Sequence, residues 1–274
     1  MPGAKDMLSF VKKAMPSFIV STSYEHYLRA LCSLVDFPFE NTYCTRLDLD
    51  KYVLNLDVLE RIKRLIQEIV ALLLMEVPEK AQTLDDFSER DQQTIKTLDR
   101  IFWKDLIQTE AGKILKEVNP VGGSEKAEVL RDIIKKTGSR LNNVMYVGDS
   151  ITDLECFRLV RENDGLAVSF NGNAYAIREA EIAALAENAT ITAIVADVFN
   201  RMGKKAVLEM ASKWSFIIIE KYEVNLGLQE KVAKIFQAKQ PKLELITTVN
   251  KERLVRESSD LRKHVRGEAV GKLG

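Results

Sequence analysis

The sequence predicts an α/β protein: a parallel sheet packed between helices, interrupted by a helical insertion and followed by a helical C-terminal extension. Three observations carry that prediction. Residues 143–147 (Asn-Val-Met-Tyr-Val) are nearly all apolar and run into Gly148 and then Asp149-Ser150-Ile151-Thr152-Asp153. That is the pattern of a strand buried on both faces, a sharp turn and a helix start. Ser17–Val20 and Gly165–Phe170 are further short apolar runs followed by helical patterns, and such alternation builds parallel sheets. Between Asp57 and Val118 the period is helical instead, with Val58, Ile62, Leu65, Ile66, Ile69 and Val70 recurring at helix spacing. The organisation read from this is an α/β core of residues 1–56 and 119–202, a cap-like insertion of 57–118, and an extension of 203–274 beginning at Gly203.

In chain order, Lys5–Ala14 is an amphipathic helix stopped by Pro16, and Ser17–Val20 is a strand ending in Ser21-Thr22-Ser23. A helix over Tyr24–Leu34 follows, so the chain opens on helix, strand, helix, where a parallel α/β domain ordinarily opens on a strand. Residues 39–56 hold β-prone pieces at Thr42-Tyr43-Cys44 and Leu47–Asp50 and are expected to form a strand and a small hairpin. In the insertion, Pro78 is expected to end the first helix, Leu84–Phe87 to begin another, and Ile101-Phe102-Trp103 to centre the helix over 91–118. Ser124 is expected to cap a helix to Thr137. Helices are also expected over 153–161, 174–185, 191–202 and 204–237. Leu243–Val249 has strand propensity, and Asn250 is expected to cap a last helix to about Val265. Arg253, Arg256, Arg262, Lys263 and Arg266 alternate there with Glu252, Glu257 and Asp260, which reads as a solvated helix face. The apolar centre Trp214–Ile219 has two readings, a homodimer surface or packing within the chain, the second being preferred.

Composition bounds the function. The 274 residues carry 40 basic and 40 acidic side chains, a net charge of zero. That balance argues against a general nucleic-acid or membrane-surface binder. The apolar run Ile69–Met75 is too short to span a bilayer. Cys32, Cys44 and Cys156 are isolated and form no CxxC, which points to reduced thiols and a cytoplasmic setting. Only two histidines are present, too few for a His-rich zinc site.

Asp149 and Asp153 lie four residues apart beyond a strand end, so their carboxylates fall on one side of the loop and first helical turn. Two such side chains can hold a hard cation such as Mg²⁺, and ligands of open α/β sheets bind at that rim. Ser150-x-x-Asp153 is equally a capping box, which needs no ligand. Lys126 opposes the dipole of its own helix start, a small cost that hints at function; a solvated lysine is the plainer reading. Ser21, Lys126 and the two aspartates together make a phosphate-handling set: a hydroxyl donor, a neutralising ammonium and metal-side carboxylates.

The order and spacing of these residues resemble the haloacid dehalogenase (HAD) superfamily of phosphohydrolases. Ser21 matches its second motif, with Ser21–Tyr24 similar to the loop of phosphoserine-phosphatase-like members. Lys126 in Gly-Gly-Ser-Glu-Lys matches the third, and Gly148–Asp153 the fourth, GDxxxD. Ala167–Ala174 resembles the strand and turn that follow, and the insertion lies where such proteins place a cap. The resemblance covers roughly residues 1–200. It implies a HAD-like Rossmannoid sheet, Mg²⁺ held by Asp149 and Asp153, and catalytic and substrate-binding roles for Ser21 and Lys126, with Thr22 also binding substrate. The partner it implies is a small phosphorylated molecule or free phosphate.

One element departs from the pattern. The first motif, DxDx(T/V), supplies the nucleophile and the general acid/base from a central strand that should precede Ser21, and nothing there fits. Asp48-Leu49-Asp50 is the chain's single DxD, and it follows the second motif. Two explanations are open: a truncated start, with Met1 an internal methionine, or a non-catalytic member that closes its sheet another way, with Leu243–Val249 as one candidate strand. Mg²⁺-dependent phosphomonoester hydrolysis is therefore the lineage, and its loss in this chain the expectation. A receiver domain has the reverse order of acids and lysine, and a dinucleotide-binding domain needs a GxGxxG turn that is missing here.

Overall fold

The strands fall into two sheets in a mixed α/β structure that is mostly helical. It is a computed structural model describing residues 1–76, 78, 81, 83–238 and 240–267, the side chains of 236–238 excepted; residues 268–274 of the expected extension lie outside the described residues. The chain divides into two compact units, Met1–Thr45 with the chain from Pro120 onward, and Arg46–Asn119.

The first unit opens with helix α1 (Ala4–Ala14), strand β1 (Ile19–Tyr24), helix α2 (Glu25–Val35) and strand β2 (Thr42–Thr45). β1 and β2 pair in parallel, with Ser21 opposite Cys44 and an irregularity between Ser21 and Tyr24. The hairpin expected within 39–56 is not formed. The chain leaves β2 and makes a short 3₁₀ turn, Leu49–Lys51, because the Asp48 side chain accepts the Asp50 N–H at 3.1 Å. Local side-chain capping of this kind competes with a ladder.

The second unit contains helices α3 (Leu56–Ala71), α4 (Glu89–Arg100) and α5 (Gly112–Glu117), with a π-helical turn, Ile101–Leu106, after α4. Asn55 Oδ1 accepts the Val58 N–H at 2.9 Å and Ser88 Oγ accepts the Asp91 N–H at 3.2 Å, two side-chain caps. α3 ends at Ala71, well short of Pro78, so proline is not what stops it.

The first unit resumes with α6 (Ser124–Thr137), β3 (Met145–Gly148), α7 (Leu154–Glu162), β4 (Leu166–Phe170), α8 (Ala174–Glu179), β5 (Ile182–Leu185), α9 (Thr190–Ser212), α10 (Phe216–Lys221), α11 (Leu226–Ala238), β6 (Lys242–Leu245) and α12 (Lys251–Arg266). The sheet order is β3-β4-β5-β6; β6 is antiparallel to β5 and the other pairings are parallel. Every residue of β5 is buried, and so are Leu166, Ala167, Val168 and Ser169 of β4. Ile194, Val195, Met210, Ile219 and Leu243 join Leu166, Val168, Ile182 and Ala184 in one core cluster. Ala127, Leu130, Phe157 and Val160 pack with Tyr146 and Ala167 in another.

Several expectations are corrected here. Residues 174–185 are not one helix: α8 stops at Glu179 and Ile182–Leu185 is a strand. Burial between two neighbouring strands overrides the helical propensity of its alanines. The run 204–237 is broken twice, at Lys213–Ser215, where Ser215 Oγ caps Ile218 at 3.3 Å, and at Tyr222–Asn225, where Glu223 takes φ 48°. Gly203, at φ 78° and ψ 178°, kinks α9, and Val198 and Val207 on either side share one core cluster. Trp214, Phe216, Ile218 and Ile219 belong to or pack against that cluster, while Ile217 is exposed. Leu243–Val249 shortens to β6, which pairs with β5 and so takes no place between β1 and β3. Asn250 makes no side-chain cap of α12; its Oδ1 accepts from Thr247 instead. Ser124 does not cap α6 but begins it, behind Gly123 at φ 55°.

Candidate functional site

The site is built at the carboxyl end of β3, where the chain must turn before α7 begins. Gly148 makes the turn possible in a specific sense: a Cβ there would stand 2.6 Å from Asp153 Cγ. With no side chain in the way, Asp153 folds back beneath the loop. Its Oδ2 accepts the N–H groups of Asp149 and Ser150, both at 3.0 Å, and the Ser150 hydroxyl at 3.3 Å. This is the capping box foreseen for Ser150 and Asp153, and it satisfies backbone donors that the turn leaves open.

The other oxygen of Asp153 faces inward. Lys126 Nζ donates to Oδ1 at 2.8 Å and the Tyr146 hydroxyl donates to the same atom at 2.7 Å. Lys126 reaches it from the first turn of α6, and both charged side chains are almost wholly buried, 7% and 4% exposed. Burial by itself pushes the Asp153 carboxyl up. The Lys126 charge and hydrogen bond, then the Tyr146 hydroxyl and the Asp149 N–H, outweigh it and hold the group below its ordinary value of 3.8. Burial, reinforced by the neighbouring carboxylate, keeps Tyr146 protonated well above the usual tyrosine range. The Cys156 thiol beneath them is pushed up to about 11, chiefly by burial. Tyr146 is fixed by Phe157, edge-on at 5.5 Å and 86°.

Asp149 points elsewhere. Its Oδ2 accepts from Arg262 Nη1 at 2.6 Å and from Arg266 Nη2 at 2.7 Å, both on α12. Arg262 Nη1 also lies 3.2 Å from the carbonyl oxygens of Asp149 and Asn171. Asn171 ends β4 at φ 46° and is pinned there by two hydrogen bonds between its side chain and the Ala186 backbone, at 2.7 and 2.9 Å. Next to it the Ser258 hydroxyl donates to the Gly172 carbonyl at 2.6 Å.

Ser21 and Thr22 do not follow the strand as expected but lie within β1, which runs on to Tyr24 through the irregularity after Ser21. A loop of residues 120–123 lies between Thr22 and the loop after β3: a Cβ on Gly122 would meet Thr22 Cγ2 at 3.1 Å and Thr152 Cγ2 at 3.7 Å, and the Gly123 N–H donates to the Thr152 carbonyl at 3.1 Å. The structure thus sets Ser21–Thr22, the start of α6 and the 149–153 loop around one glycine turn. It does not join them by direct contact. Ser21 Oγ accepts the Ser23 N–H at 3.1 Å. Among the described residues no hydrogen bond or ion pair links Ser21 to Lys126, Asp149 or Asp153. Tyr24 and His26 are exposed, and Glu25 pairs with Arg29. A cleft of about 710 Å³ lies at the opposite, amino-terminal ends of β1 and β2, lined by Lys12, Ser17, Asp36 and Asn41 among others, and the Lys126–Asp153 network is not on it.

Mg²⁺ does not fit the aspartate pair in this arrangement. Both oxygens of Asp153 are held by protein donors, and Asp149 Oδ2 is shared by two guanidinium groups. Among the described residues no group of three or more His, Cys, Asp or Glu side chains converges as a ligand set. The sequence reading missed three participants. Tyr146 was absorbed into an apolar strand. The interleaved charges of α12 read as a solvated face for Arg262 and Arg266, yet the Arg262 side chain is 4% exposed. The available signal was spacing: Leu254, Ser258 and Arg262 recur at i, i+4, i+8, and the buried leucine marks the inward face of α12.

Neither a protein-family model nor a curated protein matches this chain. Among solved structures, gene product AF1437 from Archaeoglobus fulgidus is similar, with a TM-score of 0.76 and 23% identity, over 100% of this chain and 72% of that one. At that identity the likeness is one of fold. Among the described residues, no helix is long and apolar enough to cross a membrane.

Proposed function

We propose that this chain is a HAD-like protein of phosphohydrolase descent which, as it stands, binds a phosphorylated small molecule or free phosphate in a cytoplasmic setting without hydrolysing it. The observation that carries the reading is that both carboxylates of Gly-Asp-Ser-Ile-Thr-Asp are neutralised by the protein's own cations, Lys126 on Asp153 and Arg262 with Arg266 on Asp149. The parallel order β3-β4-β5, the glycine turn after β3, and a lysine brought there from the start of the preceding helix support the lineage. Ser21 and Thr22, at the same loop as the start of α6, supply hydroxyl donors for an anion. The chain's single Asp-x-Asp, Asp48 to Asp50, sits on a 3₁₀ turn in which the Asp48 side chain accepts the Asp50 N–H, and not on a strand that precedes Ser21. Losing a nucleophile lowers a rate by about 10⁴ to 10⁶. Three buried free thiols agree with a reducing compartment.

The second reading, active Mg²⁺-dependent phosphomonoester hydrolysis, is favoured by the nearness of Lys126 to the loop after β3, which puts a residue of the third-motif match beside those of the fourth. One experiment separates the two. The chain is assayed with p-nitrophenyl phosphate and a panel of phosphorylated metabolites in Mg²⁺, and inorganic phosphate is titrated by calorimetry. Heat from phosphate, reduced in Ser21→Ala, without turnover is the expected result. Turnover abolished by Asp149→Ala establishes the hydrolase instead, and a chain that neither binds phosphate nor turns over substrate sinks both readings.

A further inference from the structure

Ser258, Arg262 and Arg266 are four residues apart along α12, so they form one stripe on one face of the helix. That stripe meets the loops after β3 and β4: Ser258 holds the Gly172 carbonyl, Arg262 holds Asp149 Oδ2, and Arg266 adds a second contact to the same oxygen. Around Arg262 Nη1 stand one carboxylate oxygen and two backbone carbonyls, those of Asp149 and Asn171. A cluster of one carboxylate and two carbonyl oxygens at a strand end is a hard-cation environment. A guanidinium is a permanent, weakly hydrated charge with a rigid fan of donors, whereas Mg²⁺ sheds its water reluctantly.

We propose that Arg262 and Arg266 are the resident cation of this site. They fill the oxygen cluster a divalent ion would otherwise enter, and in doing so they latch α12 to the carboxyl ends of β3 and β4. The helix is thus a built-in exclusion device for divalent metal. The proposal borrows from the functional reading only the identity of the excluded ion. Loss of phosphate binding would sink that reading and leave this one standing.

The test is binding of Mn²⁺, followed by the loss of its free electron-paramagnetic-resonance signal, to the full chain, to Arg266→Ala and to Arg262→Met/Arg266→Ala. The double variant is expected to bind Mn²⁺ at least about tenfold more tightly than the native chain, Arg266→Ala to fall between, and Asp149→Asn added to the double variant to abolish the gain. A native chain that binds as tightly as the double variant overturns the proposal, as does a folded double variant that gains nothing. Should the double variant fail to fold, hydrogen exchange decides. Asp149→Asn in the otherwise native chain is expected to speed exchange of the α12 amides from Ser258 to Arg266 by about tenfold while α9 stays unchanged. Unchanged α12 exchange overturns the latch.

Discussion

Asp149 and Asp153 leave the same strand four residues apart, and each meets a cation from a distant helix, but the two pairs differ in burial. Asp153 and Lys126 are almost wholly buried, and the other acceptor positions of Asp153 are filled by Tyr146 and by the loop's own N–H groups. Asp149 is 32% exposed and shares its oxygen between one buried arginine and one that is 34% exposed. The difference teaches that two carboxylates of one motif can serve unlike ends. Asp153 organises the turn from inside. Asp149 ties a remote helix to it from the rim. A buried ion pair is worth little relative to an apolar replacement, yet breaking it strands a charge, whereas an exposed pair is cheap to lose.

The largest effect should therefore come from Asp153→Ala. It leaves Lys126 and the Tyr146 hydroxyl buried without their acceptor and uncaps two backbone N–H groups, for a loss of about 3–5 kcal/mol by denaturant unfolding. Asp149→Ala is expected to cost less, because Arg262 keeps two carbonyl acceptors. Equal losses would break the contrast. The next effect is the buried pair's share of the pH dependence of stability. The folded Asp153 carboxyl titrates below 3.8, so the unfolded chain binds more protons there and stability rises with pH. Its contribution is full above the unfolded value and is lost as pH falls through the folded one; Asp153→Asn should make that acid limb shallower. At the other end Cys156 ionises near 9.0 unfolded and at about 11 folded, so its contribution is full below 9.0 and gone above about 11. The smallest effect is Arg266→Ala, expected to cost no more than about 1 kcal/mol and to shrink further as salt is added. A larger, salt-independent loss would place Arg266 with the buried pair.

The residues that sequence reading singled out at this end of the sheet were found through local chemistry: a glycine between an apolar run and two acids, a serine in capping position, a lysine in an unfavourable place on its helix. For Lys126 the plainer reading, a solvated lysine, is overturned: the side chain is buried against Asp153, and its unfavourable place on the helix dipole was the sounder signal. On α12 the local pattern misleads. Acids interleaved with Arg253 and Arg256 suggested solvent, and Arg253 does pair with Glu244 and Glu257 near the surface. About two turns further on, the same helix turns Arg262 inward. The strand β5 was hidden for a different reason. Ile-Ala-Ala-Leu has no alternation to read, because a strand covered on both faces needs none.

What the sequence by itself determined are the local elements: the strand–glycine–acid turn, the capping box, the helical period of 57–118 and the stop at Pro16. Each depends on residues within a turn or two of one another, where dihedral preference and side-chain capping act directly. What only the tertiary structure decided is the partner of each carboxylate. Asp153 meets a lysine 27 residues back and Asp149 an arginine 113 residues ahead. Periodicity says which face of a helix is buried, but the pairing of two distant faces is set by how the sheet and its helices pack, and that packing is a property of the whole unit.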